Sequence, residues 1–143
     1  MSIHSILVQL ADDACEAARV RVALSLARRW KARVEGVYTT PSLDLPAVSA
    51  GRAASAAFRG ALAEALKERV EASERRFREA CIGSTVSVAW RNEVGDAGES
   101  LAARMLYADL GIVGQTPPQN VEQAVLDHPP ENLAMRSAAP VML

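Results

Sequence analysis

Ala108-Asp109-Leu110-Gly111-Ile112-Val113-Gly114-Gln115-Thr116-Pro117 is a short apolar run that ends in a glycine and a turn. Two earlier runs, Ile6-Leu7-Val8 and Val34 to Tyr38, have the same character, and each gives way to polar or turn residues ahead of a helical pattern. Such repetition marks buried parallel strands, covered on both faces and so nearly continuous in apolar residues. In open α/β sheets ligands sit beyond the carboxyl ends of the strands. The residues after Leu10 and after Val113 are therefore the places to read for chemistry.

On the amino-terminal side, Ile3 to Leu10 reads as a first strand near the sheet centre. Asp13 with Glu16 is a capping-box-like start to a helix reaching about Trp30. That helix carries an apolar stripe of Cys15, Ala18, Val22 and Leu26, with Arg19, Arg21, Arg28 and Arg29 on solvated faces. Val34 to Thr39 is a second strand, closed by a proline-bearing loop that extends to about Gly51. Arg52 to Cys81 carries the longest helical pattern, with Phe58, Leu62, Leu66, Val70, Phe77 and Cys81 facing the core. The pairs Glu71/Arg75 and Glu74/Arg78 add only about 0.3–0.5 kcal/mol each. Thr85 to Trp90 alternates polar and apolar residues, as suits a strand near an edge. Gly95-Asp96-Ala97-Gly98-Glu99 opens a third helix, with Asp96 as cap and Glu99 closing the box, and that helix runs to about Tyr107. Asp109 to Val113 is the fourth strand. Gln115 to Pro130 is polar and proline-rich, with one helical turn around Val121 to Leu126. Glu131 to Ser137 is a short helix, and Pro140 to Leu143 begins a fifth strand. This alternation predicts right-handed crossovers and a parallel sheet between helical layers.

A chain of 143 residues, half of them hydrophobic, supports one domain over 1–143 with one sizeable core. With 16 basic and 17 acidic residues there is no electrostatic footprint for nucleic acid or an anionic membrane. No apolar stretch approaches the ~20 residues of a membrane span, and the opening residues lack a secretory signal pattern, so the expected location is cytoplasmic. Cys15 and Cys81 are expected to be reduced and shielded within helix packing faces, with no metal role.

These elements and their local words resemble the universal stress protein family over the whole chain. Ile6-Leu7-Val8 looks like the family's first strand, and Gly95-Asp96-Ala97 looks like the Gly-Asp-Pro/Ala that starts its third helix. Ala108 to Gly114 is similar to its Ala-Asp-Leu-(Ile/Leu)-Val-(Val/Met)-Gly strand, and Ala138-Ala139-Pro140-Val141-Met142-Leu143 to the start of its strand five. The resemblance implies a Rossmann-like, flavodoxin-style α/β fold: a five-stranded parallel sheet flanked by helices on both faces.

In family members that bind ATP, the fourth strand is followed by Gly-x-x-Gly, nine residues, then Gly-(Ser/Thr). Glycines let backbone N–H groups approach phosphates, and a hydroxyl adds a donor. Carried onto this chain, the pattern falls on Gly114, then Pro117 with Thr116 just before it, then Asp127 and His128. Pro117 removes a donor, and Asp127 puts a negative charge beside the phosphate position. The acidic residue that holds the ribose falls on Ala11, with Asp12 displaced by one position, and Val37 and Val113 are suited to wall an adenine. The resemblance thus implies a degenerate site: no catalysis, no cofactor, and a dimerising or regulatory role. The alternative is an adenine-nucleotide-binding stress protein that holds ATP in an altered loop. Similar members carry strand five further and use it to pair domains. A homodimer through strand five is therefore expected, from a chain whose fifth strand is short or which forms one half of a tandem protein.

Overall fold

The computed structural model describes residues 2–42, 52–114, 137 and 139–143. Five strands, β1 Ser5–Leu10, β2 Arg33–Thr40, β3 Val88–Val94, β4 Leu110–Ile112 and β5 Val141–Met142, form one sheet in the order β3-β2-β1-β4-β5. Every pairing is parallel. Three helices are described, α1 Glu16–Trp30, α2 Arg52–Ala80 and α3 Ala97–Met105. The chain is α/β, as the alternation predicts.

β1 is central because its side chains are apolar on both faces: Ile6, Leu7 and Val8 are at most 1% exposed. Ile6, Val8 and Leu10 pack with Val20, Ala23, Leu24 and Ala27 of α1 and Phe77 of α2. Leu7 points the other way, into a smaller cluster with Val37, Leu101, Met105 and Val113 under α3. Fully burying one such side chain contributes about 1.5–3 kcal/mol, so β1 gains from both layers. Gly111 stands where similar family strands carry Ile or Leu, and the reason is packing. A Cβ there would lie 2.6 Å from Met105 Sδ, which already fills that space.

Asp109 works at the amino ends of the strands. Its Oδ2 accepts the backbone N–H groups of His4 at 2.8 Å and Ser5 at 2.9 Å, tying the start of β1 to the start of β4. The N–H of His4, together with the bonds from Ser5, holds its carboxyl below the usual range.

The structure corrects several expectations. The buried face of α1 is Glu16, Arg19, Val20, Ala23, Leu24 and Ala27, whereas Cys15, Ala18 and Val22 are exposed. Both stripes keep helical spacing; the observed one sets two alanines against the sheet and lets the backbone approach it. Cys15 is exposed rather than shielded, while Cys81 is partly buried against the core. No capping box forms at Asp13 and Glu16. Instead Asp13 accepts the N–H of Cys15 at 2.8 Å, and Glu16 reaches back to the N–H of Ala11 at 2.9 Å. On α2, Phe77 is buried but Phe58 is 62% exposed. Of the two ion pairs expected there, Glu74–Arg78 forms.

β3 lies at an edge, as the alternation indicated, but runs over Val88–Val94 rather than Thr85 to Trp90. Its charged half is accommodated because an edge strand tolerates charge and because Arg91 pairs with Glu35 of β2. Asp96 caps α3 as expected, accepting the N–H of Glu99 at 2.8 Å. The turn expected over 121–126 and all but the last residue of the helix expected over 131–137 lie outside the described residues, and that last residue, Ser137, takes no regular structure.

Candidate functional site

Chain order reverses between β1 and β4, so the crevice beyond their carboxyl ends is the topological switch point, where open α/β sheets take ligands. The crevice is bordered by Ala11, Asp12 and Asp13 after β1 and by Val113 and Gly114 after β4. Thr116, Pro117, Asp127 and His128, the rest of the expected site, lie outside the described residues.

Asp12 is the hub of one side. Its Oδ2 accepts the Tyr38 hydroxyl at 2.7 Å, Arg69 Nε at 2.9 Å and Arg69 Nη2 at 2.7 Å. Its Oδ1 accepts Arg76 Nη2 at 2.7 Å. Arg76 Nε also donates to Glu16 Oε1 at 3.0 Å. Partial burial on its own would raise the Asp12 carboxyl, but the bonds from Tyr38, Arg69 and Arg76 outweigh it and leave the group below its ordinary value. Burial and the neighbouring Asp12 charge push the Tyr38 phenol upward, so it stays a donor. Both Asp12 oxygens are therefore engaged by this chain's own donors, three at Oδ2 and one at Oδ1, and among the described residues Asp12 caps no helix.

The other side is held by Arg19, whose side chain is only 8% exposed. Its Nε donates to the carbonyl of Gln9 at 3.1 Å, and its two Nη groups grip Asp13 at 3.0 and 2.6 Å. Burial raises the Asp13 carboxyl and the Arg19 bonds lower it, with a net fall. The guanidinium lies over Gly114, where a Cβ would meet Arg19 Nη1 at 2.4 Å and Cζ at 3.0 Å. Glycine at 114 is thus a matter of close approach. The Gly114 N–H, the backbone donor that a phosphate would seek, points to Gln9 Oε1 at 2.9 Å.

Three carboxylates, Asp12, Asp13 and Glu16, are thereby matched by three guanidiniums, Arg19, Arg69 and Arg76. Val37 and Val113 are core residues at 0% and 2% exposure, beneath α3 rather than lining an open wall. Ala11 donates its N–H to Glu16. A sequence reading brought Asp12 and Gly114 to this crevice but missed Gln9, Arg19, Tyr38, Arg69 and Arg76. One signal was present: Arg69 and Arg76 have the same spacing as Val70 and Phe77, which face the core, so both arginines flank the buried stripe of α2. Among the described residues, no group of three or more His, Cys, Asp or Glu side chains is placed to hold a metal ion, and no helix is long and apolar enough to cross a membrane.

No family model matches the sequence, and no curated protein sequence matches it. Solved structures do match. A universal stress protein in complex with cAMP aligns over 100% of this chain and 97% of its own, with TM-score 0.69 and 18% identity. A protein of the universal stress protein family from Burkholderia pseudomallei aligns over 98% of this chain and 94% of its own, with TM-score 0.66 and 24% identity. The fold is that of the universal stress proteins. A third structure, the universal stress protein from Archaeoglobus fulgidus in complex with dAMP, aligns over 99% of this chain and 98% of its own, with TM-score 0.56 and 17% identity. Within this fold, the bonds of Asp109 to His4 and Ser5 give the Ala-Asp word of the fourth strand a structural job.

Proposed function

We propose that this chain is a universal stress protein domain whose nucleotide crevice is closed by its own side chains, and that it acts as a non-catalytic, dimerising or regulatory module. One observation carries the reading: the acidic residue after β1, Asp12, takes four hydrogen bonds from Tyr38, Arg69 and Arg76, so a ribose would have to compete with this chain's own donors at both of its oxygens. The engaged Gly114 N–H and the Arg19 head over that glycine support it from the β4 side. Pro117 and Asp127 in the sequence add to it, since neither supplies what a phosphate needs. Among the described residues no nucleophile, base and orienting group come together at the crevice, which favours a binding or assembly role over catalysis.

The module associates through β5, which among the described residues pairs with β4 alone and leaves Met142 41% and Leu143 62% exposed. An edge with unpaired backbone groups and apolar side chains is a surface for a second copy in two-fold symmetry. The likeness to structures holding cAMP and dAMP favours the alternative reading, in which the crevice opens for an adenine nucleotide. Two measurements test the proposal. Protein purified natively and then denatured is expected to release no adenine nucleotide on chromatography, and light scattering is expected to give a dimer mass. A stoichiometric nucleotide, or a monomer at high concentration, overturns the corresponding half.

A further inference from the structure

A second cleft, of about 390 Å³, lies between α3 and the β2–β3 edge, around the first residues of those strands and so at the opposite end of the sheet from the crevice. Three arginines from three elements line it, Arg33 of β2, Arg91 of β3 and Arg104 of α3, with Glu35 as the lone acid. Arg91 Nε and Arg104 Nη2 both donate to the same oxygen, Glu35 Oε1. Sharing one acceptor brings the two guanidiniums together while leaving most of their N–H donors unused among the described residues. Arg104 Nε is buried and makes no hydrogen bond there; Glu93 Oε1 stands at 3.6 Å, within ion-pair range only. Arg33 is exposed, and no hydrogen bond or ion pair engages its guanidinium among the described residues.

Three arginines against Glu35 in the lining and Glu93 at ion-pair distance from Arg104 leave one positive charge in excess around this cleft. A phosphate monoester carries a charge of about −1.5 to −2 at neutral pH and presents oxygens that match guanidinium forks. At the end of α3, whose carbonyls would repel an anion, those of Arg104 and Met105 accept the N–H groups of Tyr107 and Ala108. Tyr107, 70% exposed at the rim, offers a ring face for the organic part of the ligand. A cleft of this size exceeds what a bare phosphate needs and falls at the small end of ligand sites.

We propose that this cleft binds a small phosphate monoester, its phosphate held by Arg33, Arg91 and Arg104 and its organic group against Tyr107. The probe is phenyl phosphate, titrated by calorimetry and nuclear magnetic resonance into the full chain, with inorganic phosphate and benzoate as competitors. Saturable binding is expected, displaced by inorganic phosphate. Arg33→Ala and Arg91→Ala are each expected to weaken it roughly tenfold or more, the factor for losing a charge-assisted hydrogen bond. Arg78→Ala, a change of one exposed arginine on α2, is expected to leave it unaltered. Both test arginines are exposed, so the variants are expected to fold, and circular dichroism checks this. Absence of saturable binding, or wild-type affinity in folded Arg33→Ala and Arg91→Ala, overturns the proposal. Displacement by benzoate as strong as that by inorganic phosphate overturns the assignment to phosphate.

Discussion

Replacing Arg19 by alanine removes three hydrogen bonds at once, one to the Gln9 carbonyl and two to Asp13. Breaking a fully buried ion pair costs about 3–5 kcal/mol, but the Asp13 side chain is 42% exposed and regains water, which lowers the figure. The Gln9 carbonyl loses its side-chain donor, a loss of about 1–3 kcal/mol if no water replaces it. The expected destabilisation is therefore about 2–3 kcal/mol, or a fall of roughly 1–2 M in the urea midpoint for a chain of this size. A double-mutant cycle with Gly114→Ala sharpens the test. In the wild-type background the new Cβ would fall 2.4 Å from Arg19 Nη1, and this overpacking is expected to cost about 1–3 kcal/mol. In the Arg19→Ala background the obstruction is gone, and the same change is expected to cost less than about 0.5 kcal/mol. Unfolding followed by circular dichroism at fixed protomer concentration measures all four corners. Additive effects, with Gly114→Ala equally costly in both backgrounds, refute the placement of the guanidinium over Gly114.

Further outcomes follow from the same geometry. Asp12 and Asp13 ionise below their ordinary 3.8 in the folded chain, so the unfolded chain binds protons first as pH falls; the stability they add is present in full above that value and is lost as pH drops through the lowered values. Urea midpoints between roughly pH 2 and 6 are expected to show this acid limb, and Asp12→Asn to flatten it; an unchanged limb in that variant contradicts the network. Phe77, 1% exposed between α2 and the sheet, is expected to cost about 3–5 kcal/mol when replaced by alanine, and a loss under about 1 kcal/mol would place it wrongly. A thiol reagent is expected to modify exposed Cys15 quickly and Cys81 slowly, since burial shields the latter and pushes its thiol up; equal rates contradict this.

The strands were legible because burial on both faces writes continuous apolar runs, and β1, β2 and β4 all lie inside the sheet. Asp96 was legible because a cap is a local device. The face of α1 was not, since alanines on several sides of that helix let two stripes keep the same period. Arg19 read as solvated because an arginine is buried only when partners outside its own helix meet it, here the Gln9 carbonyl and the Asp13 carboxylate. Most of the crevice lay beyond local reading for the same reason: Asp12 is joined to residues 57 and 64 positions away, Arg69 and Arg76. The sequence placed Asp12 in the right crevice, but its partners came from a helix whose arginines look like ordinary surface.

The central claim is that the crevice beyond β1 and β4 is filled by this chain's own charges, and calorimetric titration of the extensively dialysed protein with ATP and with cAMP tests it most directly. The account predicts no saturable heat with a dissociation constant tighter than about 1 mM for either nucleotide. A micromolar isotherm for either, abolished by Asp12→Ala, would show that Asp12 is available to a ribose and would contradict it.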